Sequence, residues 1–171
     1  MNHLIYKVIN IEKFKFYIRV IDLYWQVIGN IIAECSYGTV IIGTTPFAKG
    51  FVGKNLCAQL KNIKDGKARC YGDLQIGEVF EYDLDSTPEQ LDNWCKEADF
   101  VFNLAGVNRP KDNDEFMKGN FGFASTLLDT LKKYHNTCPV MLSSSAQASL
   151  TGRFGNSEYG RSKKAGEDLF L

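Results

Sequence analysis

Hydrophobic and polar positions follow each other along the chain in blocks that predict β-strands alternating with α-helices. Residues 39–45 form a β-branched run, which is typical of a buried strand. Val52, Leu56, Leu60 and Ile63 then recur at helical spacing and predict an amphipathic helix. Residues 1–38 are rich in Ile, Tyr, Phe and Lys without a convincing period, so we treat them as an N-terminal extension of unknown role.

The same alternation continues to the C-terminus. Residues 78–82 predict a second strand, and Thr87, Pro88 and Gln90 have the types and spacing of a helix start with a capping box. Residues 100–104 are apolar at nearly every position, as in a parallel strand covered on both faces. The remaining elements are a helix with an apolar side (Phe123, Leu127, Leu128, Leu131 and Tyr134), a strand at 139–142 and a helix that begins near Glu158. This order predicts an α/β fold with a doubly wound, Rossmann-like parallel sheet over residues 39–171.

Length and composition restrict the function. The chain has 171 residues, the size of one ordinary domain, and its 20 basic residues balance 20 acidic ones, so nothing suggests nucleic acid or a membrane surface as a partner. The five cysteines are scattered without paired C-x-x-C spacing, which indicates thiols in a reducing, cytoplasmic compartment. With two histidines and no cluster of ligands around either, we expect no metal centre.

A glycine-bearing turn between the first strand and the first helix is the candidate cofactor site. Its candidate contacts are Gly43, Gly50, Phe51, Val52 and Gly53. Backbone amides and the helix N-terminus can approach a pyrophosphate there. The third glycine position of such a turn is irregular, because either Phe47 occupies it or Gly43 serves and an insertion follows.

Two further strand ends lie on the same predicted sheet edge. Asp83 follows the second strand, where it can accept hydrogen bonds from the adenosine ribose and repel a 2′-phosphate, which favours NAD over NADP while leaving NADP open. Asp85 is an alternative for this role. The next strand ends in Leu104, Ala105 and Gly106. Asn120 is interpreted as opening the following helix, either as a cap or as a residue that supports catalysis.

Tyr159, Lys163 and Ser145 are the candidate catalytic residues. Tyr159 and Lys163 stand four apart, on one helical face, so the ammonium can lie beside the phenol. A nearby cation favours the phenolate, so we expect a lowered pKa for Tyr159. Ser145 closes a triple serine after an apolar strand and can hold the substrate oxygen that exchanges the proton. The alternative is an exposed helix pair and an ordinary serine loop.

Residues 39–171 resemble an extended short-chain dehydrogenase/reductase of the NAD-dependent epimerase/dehydratase family. The resemblance rests on five motifs in order: Ala48-Lys-Gly-Phe-Val-Gly53, Asn103-Leu-Ala-Gly106, Asn120-Phe-Gly122, Ser143-Ser-Ser145 and Tyr159-x-x-x-Lys163. Within this family, residues 104–110 and 142–148 look most similar to capsular-polysaccharide reductases of the CapF type.

The resemblance implies an NAD(P)-dependent oxidoreductase or epimerase that acts on the keto sugar of a UDP-sugar in surface-polysaccharide synthesis. It implies that Tyr159 delivers a proton to the carbonyl oxygen, that Lys163 holds the nicotinamide ribose, and that Ser145 bonds the same oxygen. Asn108 and Arg109 would face the sugar nucleotide, with an ordinary surface loop as the alternative.

Members of the family continue past the position of Lys163 through further strands and a substrate-binding region. The resemblance therefore implies a C-terminally incomplete sheet, and we expect the 171-residue chain by itself to lack turnover. The alternative function is a non-catalytic, truncated dinucleotide-binding fragment. A homodimer of a full-length form stays open, as does the distinction between reductase, epimerase and dehydratase.

Overall fold

Four parallel strands form the sheet of the protein. A computed structural model describes residues 39–43, 51–68, 75–107 and 110–171. The strands are β1 (Thr39–Gly43), β2 (Val79–Tyr82), β3 (Ala98–Asn103) and β4 (Val140–Leu142), in the order β2-β1-β3-β4. Gly43 is level with Tyr82 and Asn103, and Asn103 is level with Leu142, so the carboxyl ends of all four strands meet at one edge.

Helices connect these strands and follow the last of them. They are α1 (Phe51–Lys64), α2 (Pro88–Glu97), α3 (Asp114–Phe116), α4 (Phe123–Lys133) and α5 (Glu158–Leu169). A π-helical segment, Met117–Gly122, joins α3 to α4 without leaving helical backbone angles, so 114–133 is one helical run. Two short 3₁₀ turns, Ala146–Ser149 and Gly152–Phe154, lie between β4 and α5.

Helices cover both faces of the sheet, and β3 divides the core between them. Phe100 and Phe102 pack with α1, whose Leu56, Leu60 and Ile63 are buried. Side chains alternate along a strand, so Val101 points the other way. It packs there with a second buried cluster from α2 and α4: Leu91, Cys95, Leu127 and Leu131. The prediction of a parallel sheet wound on both faces is therefore confirmed for the described residues.

The start of α2 follows its sequence signal closely. The backbone N–H of Gln90 donates to Thr87 Oγ1 at 3.2 Å, and the backbone N–H of Thr87 donates to Gln90 Oε1 at 2.8 Å. Pro88 occupies the first helical position, where its missing N–H has no intrahelical partner to lose. The predicted capping box is confirmed.

Three expectations change with the structure. Val52 is 52% exposed, so the first position of the apolar stripe on α1 faces solvent. β3 begins at Ala98, earlier than the apolar run, and ends at Asn103. Asn120 lies inside the helical run rather than at its start, so it opens no helix. The N-terminal extension at 1–38 lies outside the described residues, and within the described ranges no helix is long and apolar enough to cross a membrane.

Candidate active site

The candidate site lies at the carboxyl edge of the sheet, beside the point where the strand order reverses. The chain passes from β1 outward to β2, then crosses back to β3 on the other side of β1. Ligands of open α/β sheets bind at such a reversal, outside the carboxyl ends of the strands. The backbone N–H of Ser143 donates to Asn103 O at 2.9 Å, which extends the contact between β3 and β4 into the loops that carry site residues.

Lys163 projects from α5 into this edge and is 7% exposed. Its Nζ donates to the backbone carbonyls of Ala105 at 3.2 Å and Ser143 at 3.0 Å. These bonds use two of the three ammonium donors. Removal from water disfavours the charged form, and burial lowers the pKa of Lys163 to about 8. The lysine therefore ties α5 to the loops after both β3 and β4.

Gly106 makes room for that ammonium. A Cβ at this position would stand 2.5 Å from Lys163 Nζ and 3.3 Å from Asn120 Oδ1. Real Cβ atoms do not approach other heavy atoms as closely as 2.5 Å, so any side chain here would displace the lysine head. The glycine in the loop after β3 thus allows Lys163 to lie close to the sheet edge.

Tyr159 lies one turn before Lys163, with Lys163 Nζ 6.0 Å from the centroid of its ring. The Phe116 ring packs against it with centroids 5.6 Å apart. Burial raises the pKa of Tyr159, and a hydrogen bond with the Ser145 side chain lowers it by less. The net direction is upward, opposite to the expectation from the lysine charge. Desolvation is the larger effect, and the opposing one comes from Ser145 rather than from the Lys163 ammonium.

The predicted trio is therefore brought together. Ser145 reaches Tyr159 from a bend after β4, where its Oγ also accepts from the backbone N–H of Gln147 at 3.2 Å and caps the first 3₁₀ turn. The neighbouring Ser144 donates through Oγ to the Glu167 carboxylate on α5. Together with the bond from Lys163 to Ser143 O, the serine loop and α5 are thus bonded at three places, and the hydroxyl, phenol and ammonium occupy one region.

Asn120 is a buried clamp for the loop after β3. Its Oδ1 accepts from the backbone N–H of Val107 at 2.8 Å, and its Nδ2 donates to Val107 O at 3.1 Å. The second Nδ2 hydrogen goes to Ser162 Oγ at 2.8 Å. All donors of the amide are used within the protein. It thus links the loop after β3 to Ser162 on α5, and the suggested helix cap is wrong.

Several residues that shape this region were absent from the sequence interpretation. Ser162 is bonded to Asn120, Phe116 packs on Tyr159, and Gly160 lies against the backbone of Gln147, where a Cβ would stand 2.3 Å from its carbonyl oxygen. Ser162 and Gly160 lie between Tyr159 and Lys163 in the sequence, and this position could have marked them as residues near the site. Nothing in the sequence marked Phe116, because it follows a run of polar residues.

The predicted cofactor contacts are described in part. Phe51, Val52 and Gly53 form the first turn of α1, and Gly43 ends β1. Asp83 directly follows β2, and its Oδ1 accepts from the backbone N–H of Leu84 at 2.7 Å. Leu104, with Ala105 and Gly106, follows β3. Gly50, Phe47, Asn108 and Arg109 lie outside the described residues.

Comparison with known proteins gives one family and several relatives. The model of the NAD dependent epimerase/dehydratase family matches residues 48–171. A UDP-2-acetamido-2,6-beta-L-arabino-hexul-4-ose reductase of Pseudomonas aeruginosa is 35% identical over 121 residues, which is 71% of this chain and 28% of that protein. This chain therefore spans less than a third of the length of that relative.

Solved structures agree with this result. The capsular polysaccharide assembling protein CapF of Staphylococcus aureus is 37% identical with a TM-score of 0.53, covering 77% of this chain and 30% of that one. A UDP-glucuronic acid 4-epimerase of Bacillus cereus in complex with NAD is 20% identical with a TM-score of 0.51, covering 77% of this chain and 50% of that one. The second comparison concerns the fold alone.

Proposed function

The chain belongs to the NAD dependent epimerase/dehydratase family, and from this premise we propose that it forms the cofactor end of a nucleotide-sugar oxidoreductase. The observation that carries the proposal is the meeting of Tyr159, Lys163 and Ser145 at the carboxyl edge of the sheet. A phenol, a hydroxyl and a buried ammonium at this edge suit proton delivery to a carbonyl oxygen.

NAD is the proposed cofactor, with NADP left open. The residues present fit a dinucleotide, since Gly106 lets the Lys163 ammonium lie at the edge beside β3, and α1 follows β1, whose carboxyl end lies at the same edge. Asp83 after β2 would bind the adenosine ribose. Gly43, Gly50 and Gly53 would border the pyrophosphate. The third ammonium donor of Lys163 would hold the nicotinamide ribose.

The chemistry proposed for the chain is transfer of one proton. When bound, NADH supplies the hydride. Tyr159 Oη donates its proton to the oxygen of the keto group as that oxygen gains charge, and Ser145 Oγ hydrogen-bonds the same oxygen. A raised pKa keeps Tyr159 protonated at neutral pH, which is the state that an acid requires.

The proposed substrate is a UDP-linked 4-keto sugar used in surface-polysaccharide synthesis. The Pseudomonas relative is named as a reductase of such a compound, and the Staphylococcus relative is named for capsular polysaccharide. These names favour reduction over epimerisation. Asn108 and Arg109 would contact the sugar nucleotide. We place the activity in the cytoplasm, in keeping with the cysteine pattern, and leave a homodimer open.

The experiment compares the unaltered protein with Tyr159→Phe. NADH binding is followed by fluorescence in the 171-residue chain, and turnover on a UDP-4-keto sugar is followed in the product of the whole reading frame, including any sequence past Leu171. Loss of the Tyr159 hydroxyl should lower kcat by about a hundredfold or more and leave the NADH affinity within about threefold of that of the unaltered protein. Undiminished turnover in Tyr159→Phe would exclude the assigned acid.

The second candidate function is a unit that binds the dinucleotide and catalyses no reaction. NADH binding without turnover by the unaltered protein would favour this binding unit. Absence of NADH binding would remove both candidates.

A further inference from the structure

Ser162 is a buried polar residue for which the reaction proposed above gives no role. Its side chain is fully buried, and its Oγ donates to the backbone carbonyl of Tyr159 at 2.8 Å. The same Oγ accepts from Asn120 Nδ2 at 2.8 Å. The hydroxyl has one hydrogen, and because that hydrogen is given to Tyr159 O, the contact with Asn120 must be accepting.

These bonds continue to the loop after β3. Asn120 is anchored on that loop by two hydrogen bonds to the backbone of Val107. Lys163 is anchored on the same loop through Ala105 O. Two separate sets of hydrogen bonds thus connect the catalytic pair to this loop. Lys163 is connected through its ammonium, and Tyr159 is connected through Ser162 and Asn120.

The residue type is informative because serine is a costly choice here. Alanine is the better helix former, and a serine that bonds back to its own helix tends to bend it. A buried position with no polar partner would favour alanine. Ser162 has a polar partner outside its helix, and that partner belongs to the site.

We propose that Ser162 is a positioning residue that holds Tyr159 in register with the β3 loop through Asn120. The inference rests on the proposed function. In Ser162→Ala the Asn120 amide loses one of its two acceptors and the Tyr159 carbonyl loses the hydroxyl donor, whereas Lys163 keeps both carbonyl bonds. The chemical step should therefore become slower, while the affinity for NADH stays the same.

The test measures kcat in the product of the whole reading frame, and NADH affinity and the titration of Tyr159 in the 171-residue chain, each with and without Ser162→Ala. We expect kcat to fall by about ten- to a hundredfold, since small misplacement of a reacting group has effects of that order, with NADH affinity within about threefold. The phenol is observed by NMR with ¹³C-labelled tyrosine in the 171-residue chain, and Tyr159→Phe identifies its signal. Its pKa should move down toward the ordinary value as the ring loosens.

Thr126→Ala is the matched control. Thr126 Oγ1 donates to Gly122 O at 3.1 Å, a similar bond back to its own helix at an exposed position away from Tyr159. This variant should keep kcat and the Tyr159 titration of the unaltered protein. A change of the same size in both variants would overturn the inference as a general helix effect.

The remaining outcomes separate the two proposals. Unchanged kcat and unchanged Tyr159 titration in Ser162→Ala, with an active unaltered protein, would overturn the role of Ser162 alone. An equal loss of kcat and NADH affinity in Ser162→Ala would also overturn the role of Ser162, because that role predicts a loss of kcat alone. An unaltered protein that neither binds NADH nor turns over would overturn the proposed function, and Ser162 would then have no reaction to serve.

Discussion

Lys163 should make the free energy of unfolding rise with pH in the alkaline range. Burial lowers its pKa from 10.5 to about 8, so the folded protein releases this proton first. Between these two values the unfolded chain holds more protons, and stability increases with pH wherever that is so. The buried charge thus costs stability at neutral pH, and the cost is removed as pH rises through the unfolded value.

The size of this effect follows from the shift. A difference between 10.5 and about 8, at about 1.4 kcal/mol for each pKa unit, gives a full contribution of about 3 kcal/mol. Between about pH 7 and about pH 9.5, the free energy of unfolding should rise by roughly 2 kcal/mol of this total. Lys163→Met keeps an unbranched side chain without the charge, so this part of the pH dependence should vanish.

The assay is urea unfolding followed by circular dichroism at both pH values, for the unaltered chain and Lys163→Met. Cys57 and Cys95, whose pKa values burial raises to about 12, lower stability as pH rises above the ordinary thiol value. They are present in both proteins, so the difference between the two unfolding free energies removes them.

Lys164→Met is the control, because the Lys164 side chain is 41% exposed and pairs with Asp168 on the surface. Its pH dependence should run parallel to that of the unaltered chain. If the stability difference between the unaltered chain and Lys163→Met were the same at both pH values, the account of Lys163 as a desolvated cation would be refuted.

Two further predictions concern neighbours of the trio. In Gly106→Ala the new Cβ would meet Lys163 Nζ at 2.5 Å and displace it, so NADH affinity measured by fluorescence titration should fall by about tenfold or more while the fold persists, and unchanged affinity would contradict the predicted ribose contact. In Phe116→Ala the Tyr159 ring loses part of its cover, so the pKa of Tyr159, followed by NMR, should fall toward its ordinary value; a constant or higher pKa would show that Phe116 does not desolvate the phenol.

The sequence predicted those parts of the fold that rest on apolar periodicity and local capping. The strands, the apolar stripe of α1 and the capping box at Thr87 came from such patterns, since core burial and helix ends leave local marks. The place of Asn120 could not be found in this way. Residues 111–120 have only two apolar side chains, Phe116 and Met117, which are adjacent in sequence, so the first turns of the helical run before α4 gave no apolar stripe. A π-helical segment has no sequence signature of its own.

The pKa of Tyr159 is a second case in which tertiary structure decides. Spacing along a helix brings Lys163 near the phenol, and this part of the prediction agrees with the structure. The direction of the shift is decided by burial of the ring, with a smaller opposing effect of the Ser145 hydrogen bond. The groups around the ring, such as Phe116 and Ser145, lie outside α5, and the spacing does not contain them.

The attachment of α5 explains why its packing was harder to predict than that of α1. The buried residues of α5 are Gly160, Ser162, Lys163 and Gly166, and none has an apolar side chain. Apart from the packing of the Tyr159 ring on Phe116, the helix contacts its surroundings through glycine backbone and through hydrogen bonds from buried polar groups. Hydrophobic burial has no preferred direction, whereas hydrogen bonds do. A helix held in this way has its rotation and register fixed, and alignment of a proton donor with a substrate oxygen requires that constraint.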